Sequence, residues 1–506
     1  MTGWLTKKSM SSPCDAADHL FTATTPTPSI RKRSIAVNPL KQLFFIACVT
    51  IPLSAAQPQK SDASSCGLDL DFTLFDLPYQ NDAAKTVNNG KVTFGGFLKG
   101  YANPSMHQSL SLTATFENTV HFGIDRLHAR MHDVQPFMRE GVYWASLFTA
   151  DALLIFAPPG DGWLHEEYHR AVMTRHHVNS FDDMNTFPIG NTMVSVKDID
   201  DADLVRFKKE SSADFIRMHV AGIEGEYLLM NELQKDNFFN NRQRSHEFLY
   251  LVITLNSIAY VFGSTDPEIV DKETDNFNRV ERKIKDRDFT GFDFSAWAYD
   301  IFRPDEPYEI RGNNKGIHPT GTGIDRYIKT TDLTDEELSY LKRQSKLHLL
   351  NCISPMFFFK RSLTLRDNLQ FNFAVRHLFT SFGNDISLIT YFKNDKCKFA
   401  LSYHHANNYH RFFPAFEGEL IDYPFTIKNI SFSLTPRALI GIQPDNQSFT
   451  SKKPAFLGLA ECRADIASVK RIHPWIALTL KTPGWIAGNE FLEGNVSVRS
   501  GLQVHL

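Results

Sequence analysis

Cysteine is scarce in this chain, with six among 506 residues, and no two stand at Cys-x-x-Cys spacing. A zinc knuckle or a dithiol redox pair is therefore excluded. There is no basic excess either: 54 Lys and Arg against 57 Asp and Glu give a formal charge of −3, and no basic stripe is interleaved with aromatics. An electrostatic nucleic-acid binder is not expected from such a balance. The Gly and Pro punctuated tract 302–323 carries neither Gly-x-Gly-x-x-Gly nor the Lys-Ser/Thr signature, so it is not a phosphate loop. Long apolar runs are missing too. The two candidates, 142–156 and 248–262, fall short of the roughly 20 residues a helical span requires and read as buried core helices.

What the chain does have is globular composition, 42% hydrophobic and 22% charged, with 42 phenylalanines against 6 tryptophans. So heavy a phenylalanine load points to a membrane or β-rich setting. The first 56 residues read as a leader: Arg31-Lys32-Arg33, then an apolar run from Leu43 to Leu53, then Ser54-Ala55-Ala56, the basic, apolar, small-residue order of an export signal. Residues 57–65 are a polar linker. Cys66, Cys352, Cys397 and Cys462 remain beyond the leader, widely spaced, as disulfide partners or as free thiols.

The most informative stretch is Trp163–Met173, which holds His165-Glu166-x-x-His169 after the helix-breaking loop Ala157–Gly162. On a helix, residues four apart share a face, so two imidazoles can bind one ion with a carboxylate beside them. Asp161 is the predicted N-cap, and Leu164, Tyr168, Val172 and Met173 give the helix an apolar side. A surface helix carrying two histidines is the plainer alternative. The segment resembles the zincin metallopeptidases, which implies Zn2+ held by His165 and His169, Glu166 as general base, and a peptide or protein substrate.

A catalytic zinc has three protein ligands. The metzincin class would place a glycine and a histidine where Val172 and Arg175 stand, so it is disfavoured. The gluzincin class supplies a glutamate from a later helix, and residues 215–230 supply a helix pattern in which Ile216, Val220, Ile223, Tyr227 and Met230 recur at helical spacing. Glu224 is the predicted third ligand, with Glu226 and then His219 as alternatives; a solvated face is the competing reading. Gly222 and Gly225 flank Glu224 and predict close approach of another element, because helix-interior glycine otherwise costs about 1 kcal/mol. His219 is also a candidate for stabilising an oxyanion.

Elsewhere, 92–97 and 109–116 alternate every second residue and predict strands. The segment 266–288 is charged and expected to be exposed, and Thr334 with Glu337 predicts a capping box. From about 355 alternation dominates, in 369–376, 399–403, 431–434, 475–480 and 496–506. Such segments fit an outer-membrane β-barrel or a soluble β-sandwich.

The expected fold class is α+β: leader 1–56, N-terminal β region 57–133, helical zincin-like module 134–354, and C-terminal antiparallel β region 355–506, the strands of both ends forming a barrel or half-barrel. The expected function is that of an exported zinc metallopeptidase of the cell envelope, periplasm or outer membrane. A non-enzymatic outer-membrane β protein, a pore or assembly factor with a structural or vestigial metal site, is the alternative.

Overall fold

The computed structural model describes residues 67–86, 102–186, 194–240, 244–366, 368–466 and 471–506. The leader, the linker, Cys66 and the strand predicted at 92–97 lie outside the described residues. In chain order the elements begin with β1 (Asp69–Leu77), α1 (Tyr79–Ala83), α2 (Met106–Arg130), α3 (Pro136–Leu154) and α4 (Asp161–Arg175). A short hairpin of β2 (Phe181–Asp182) and β3 (Val196–Lys197) leads to α5 (Asp201–Glu210), α6 (Ser212–Asn240), α7 (Arg244–Gly263), α8 (Pro267–Val280), α9 (Asp293–Phe302) and α10 (Asp335–His348). Among the described residues strands then follow without further α-helix: β4 (Leu363–Arg366), β5 (Leu369–Thr380), β6 (Gly383–Lys393), β7 (Lys398–Asn407), β8 (Phe412–Ile421), β9 (Tyr423–Ile427), β10 (Ile430–Pro444), β11 (Pro454–Ile466), β12 (Ile472–Lys481) and β13 (Asn495–His505).

The architecture is α+β. Eleven antiparallel strands form one sheet in the order β1-β13-β12-β11-β10-β8-β7-β6-β5-β4, with β9 paired to β10. Asp69 pairs with His505, so the two ends of the described chain meet in a single sheet. It runs from β1 to β4 without closing into a barrel among the described residues.

The strand expected at 109–116 is instead part of helix α2. Ser105 starts it with a capping box: its hydroxyl accepts from the Gln108 amide while the Gln108 side chain accepts from the Ser105 amide. The alternating hydroxyls have a different use. Thr115 Oγ1 accepts from Asp71 N at 2.9 Å and donates to Asp71 O at 2.7 Å, and Ser111 Oγ accepts from Thr73 N at 3.2 Å. One helical turn apart, these two side chains occupy backbone groups on the free edge of β1, which would otherwise stand as an open pairing site.

One face of the large sheet is apolar and left uncovered, while the face that meets the helices mixes buried apolar residues such as Ile389, Leu439 and Leu459 with a row of polar and charged ones. Register pairs trace a row Asn372, Tyr391, Ala400, Glu419, Arg437, Glu461, Thr479, Ser497 across eight strands. This row lies on the face that meets the helices, where Lys235 of α6 pairs with Glu419 at 3.0 Å and Gln234 bonds Asn372. The next row, on the opposite face, reads Phe373, Thr390, Leu401, Gly418, Ala438, Ala460, Leu480, Val496. A further row joins Leu388, Tyr403, Phe416 and Ile440, of which Phe416 and Ile440 are 61% and 62% exposed. Charged groups on the covered face pair with one another, as Arg437 with Glu417 at 2.9 Å and Arg463 with Asp465 at 2.8 Å.

No single helix among the described residues is long and apolar enough to cross a membrane, although α7 and α8 together pass that test as a pair bent by 84°. The run at 248–262 is the largely buried α7, as expected. The run at 142–156 differs: α3 leaves Phe137, Met138, Val142 and Leu153 exposed, so it is only half-buried. The main apolar core packs around α4 and α6, with Leu164, Tyr168, Val172, Val220, Ile223 and Trp297 among its members.

Candidate metal centre

Helix α4 starts at Asp161, with Gly160 rather than Asp161 as N-cap, and the Asp161 carboxylate sits in the first turn where the helix dipole favours it. Nearly the whole helix is buried, its charged residues included. Burying so many ionisable groups requires partners. Arg170 donates to both Glu167 oxygens, at 2.5 and 2.6 Å, and to Asn103 Oδ1 at 2.7 Å. His165, Glu166 and His169 share this buried stretch, 7%, 6% and 1% exposed.

Helix α6 passes directly over the two histidines. A Cβ on Gly222 would lie 2.3 Å from His165 Nε2 and 2.5 Å from His169 Nε2, and one on Gly225 would press on the Tyr168 and Leu164 side chains at 3.0 and 3.3 Å. The close approach expected of this glycine pair is thus present. Its partner is the metal-motif helix itself.

Each imidazole is held by Nδ1. His165 Nδ1 donates to Glu226 Oε1 at 2.8 Å and His169 Nδ1 donates to the Met218 carbonyl at 2.5 Å. With the protons placed there, both Nε2 lone pairs are left to face Asp293 Oδ2, at 3.2 Å from His165 and 3.6 Å from His169. Three acceptor atoms on one spot repel unless a proton on His165 Nε2 or a bound cation joins them. Burial opposes a charge on His165, yet Asp293 and Glu226 raise its proton affinity well above the ordinary range. Burial likewise works against ionised Asp293, but His169 and His165 hold its carboxyl well below the usual carboxylate range. A donor set of two imidazoles and one carboxylate could hold a metal ion, with the space a Cβ would fill at Gly222 left open beside the two nitrogens.

Asp293 was not among the residues singled out from sequence. It is the first residue of α9, presented by a turn in which Asp288 accepts from the backbone N–H of Val196 at 2.9 Å and of Gly291 at 2.8 Å, with Gly291 at φ +78°. Tyr260 Oη donates to Asp293 Oδ2 at 2.8 Å and fixes its direction. The available signal was Gly291-Phe292-Asp293-Phe294, a carboxylate at a helix start just after a glycine turn. That pattern has no helical periodicity of its own and follows the segment read as exposed charge, whose Asp288 is in fact tied into this turn.

Glu224, the predicted third ligand, is not brought to the histidines. Its carboxylate accepts from Arg217 Nη2 at 2.7 Å, Gly488 N at 2.8 Å, Trp485 Nε1 at 3.2 Å and Arg217 Nε at 3.3 Å. Four donors saturate it, and it ties α6 to the loop after β12. Glu226 reaches the site, but as the anchor of His165 Nδ1. His219 is engaged at both nitrogens, by Asp300 Oδ2 and Thr290 Oγ1, each at 2.9 Å, and is not turned toward an oxyanion site.

Glu166 stands beside the two histidines on the same helix. Burial pushes its carboxyl up to about 7, against the pull of His165 and His169 and with Asp288 and Asp293 adding to it. Comparison with protein-family models, with curated proteins and with solved structures returns no match.

Proposed function

We propose that this chain is a zinc-dependent hydrolase, acting on peptide bonds and held at a membrane by its sheet. The observation that carries the reading is the meeting of His165 Nε2, His169 Nε2 and Asp293 Oδ2 at one buried point with Glu166 alongside. His165, His169 and Asp293 would hold a divalent ion, which would supply Lewis acidity and lower the pKa of a water from about 15.7 to about 7. The Glu226 carboxylate and the Met218 carbonyl keep both imidazoles in the Nδ1–H form, so their Nε2 lone pairs remain available. Tyr260 orients Asp293. Glu166 takes the proton from the attacking water at its carboxylate and returns it to the leaving amine.

The membrane part rests on the uncovered apolar face of the sheet and the charged row on the opposite face. In outer-membrane proteins the strands alternate apolar outward and polar inward, whereas a sheet that covers a core in water does the reverse. Glu461, Arg437 and Arg499 on the helix-facing side and Leu480, Ile440 and Phe416 on the other follow the membrane pattern. A leader of the export type accords with this, and the envelope is the proposed location.

One observation favours the second reading, a non-enzymatic membrane β protein with a structural metal: Asp293 is only 4% exposed, and the centre is nearly closed to solvent. Two variants separate the readings. His165→Ala loses one equivalent of zinc relative to the unaltered chain in either case. Glu166→Gln keeps its zinc and loses peptide hydrolysis in the enzymatic reading; full activity in Glu166→Gln refutes the general-base role.

A further inference from the structure

A second group of metal-ligating side chains lies between α2 and α3, built from residues outside the centre described above. Glu117 and His121 are one turn apart on α2 and share a face, and Asp151 reaches them from α3. All three are buried, at 0%, 1% and 1% exposure, and one donor atom from each lies within 4.8 Å of the others. His121 Nε2 and Asp151 Oδ1 are 2.8 Å apart.

Most of the polar capacity here is unused. Both oxygens of Glu117, Oδ2 of Asp151 and Nδ1 of His121 have no hydrogen-bond partner among the described residues. Buried carboxylates are ordinarily paired or bound to a cation, because desolvation of a lone charge is not offset by anything else. Arginine and lysine do not serve that purpose for Glu117. Burial pushes its carboxyl well above the ordinary range, and the charges that act on it, Asp151 and Asp161, are both acidic and add to this.

We infer that Glu117, His121 and Asp151 form a second binding site for a divalent first-row transition ion. Two carboxylates and one neutral imidazole balance a charge of +2 in a buried space. A mixed nitrogen and oxygen set without thiolate suits Zn2+ or Mn2+; Ca2+ takes all-oxygen sets and copper(I) takes sulfur. The ion would join α2 to α3. Asp161, whose charge Glu117 feels, opens the helix that carries His165 and His169, so the site also braces the start of that helix.

The alternative is a proton shared between the carboxyls, and the two predict opposite results for the isosteric change Glu117→Gln. The full chain, loaded with Zn2+ or Mn2+ and freed of excess by gel filtration, is expected to carry two equivalents by elemental analysis. His165→Ala is expected to carry one, and His165→Ala with Glu117→Gln none. One equivalent in the unaltered chain that disappears in His165→Ala overturns the inference, as does a Glu117→Gln chain with unchanged metal content and a raised melting temperature. Should Glu117→Gln fail to fold, titration of the His165→Ala chain with Co2+ decides the matter without altering the site. One equivalent with visible d–d absorption supports it, and no absorption refutes it. Because the first centre is already disabled in that chain, failure of the hydrolase reading leaves this result intact.

Discussion

Gly222 lies so close to His165 that a single methyl group on it would sit 2.3 Å from Nε2, and within 2.5 Å of His169 Nε2 as well. That is little more than the roughly 2.0–2.1 Å of a zinc–nitrogen bond, so the group would compete with an ion for its place. Gly222→Ala is expected to lower zinc affinity at this centre by more than tenfold, read by competition against a chelator. Gly225→Ala, which presses only on Tyr168 and Leu164, is expected to cost stability while zinc affinity stays within about threefold, since overpacking alone costs about 1–3 kcal/mol. Equal zinc affinity in the two variants would remove Gly222 from the site.

Asp293 and Glu224 make contrasting predictions about the third ligand. Asp293→Asn is expected to lose zinc from the centre. Glu224→Gln is expected to keep zinc and to lower stability, because Arg217 is fully buried and would lose its counter-charge; breaking such a pair by removing one partner costs about 3–5 kcal/mol. Zinc analysis combined with thermal melting checks both. Zinc loss in Glu224→Gln with zinc retained in Asp293→Asn would restore the ligand set expected from sequence.

Much of this centre was legible in the sequence because its signals are local. His165, Glu166 and His169 follow from one turn of helix, and the Gly222 and Gly225 pair marks close packing by its composition alone. Asp293 was not legible, since it comes from 124 residues beyond His169 and is aimed by a turn whose bonds run to β3 and to Tyr260. Glu224 looked better by spacing and burial, and neither can tell a carboxylate that meets a metal from one that meets an arginine. The strands of the C-terminal half were likewise plain from their period of two, whereas 109–116 shows the same period for another reason. Its hydroxyls at 111 and 115 fall on one helical face and serve the edge of β1. Which side of the strands faces the helices is set by contacts far apart in the chain, such as Lys235 with Glu419.

Glu226 anchors His165 without touching the predicted ion position. Removal of such an anchor commonly lowers metal affinity 10–100-fold. Glu226→Ala is expected in that range, and Glu226→Gln, which can still accept from Nδ1–H through its carbonyl oxygen, is expected to recover most of it. Chelator competition measures both. Indistinguishable affinities in Glu226→Ala and the unaltered chain would exclude an orienting role.

His348 gives a pH dependence far from the metal centre. Ser257 Oγ donates to its Nε2 at 2.7 Å, and its Nδ1 is 3.2 Å from His377 Nδ1, whose ring in turn meets Gln344 Oε1 through Nε2 at 2.9 Å. The chain of bonds suits neutral rings, and burial pulls His348 down to about 3. Unfolded, the same ring titrates near 6.5, so between these values the unfolded state binds more protons and stability rises with pH. The contribution is complete above about 6.5 and is lost as pH falls toward 3, at up to about 1.4 kcal/mol per pH unit. His348→Gln is expected to flatten the melting profile between pH 6.5 and 4.5, above the range where most carboxylates titrate. An unchanged slope would show that the ring does not charge on unfolding.

Ile440 and Phe416 are register partners at the centre of the uncovered sheet face, and arginine at either position distinguishes lipid from water. In water, an exposed substitution of this kind changes stability by about 0.5 kcal/mol or less, and the added charge improves solubility. At the midplane of a bilayer it costs about 2–4 kcal/mol per arginine. The unaltered chain is therefore expected in the membrane fraction, released by detergent and not by high salt. Ile440→Arg and Phe416→Arg are expected to lower stability in lipid vesicles by that amount, while Lys428→Arg in the turn between β9 and β10 leaves it unchanged. A chain that stays soluble and monomeric without detergent, and that gains solubility from either arginine, would place this face in water and refute the membrane reading.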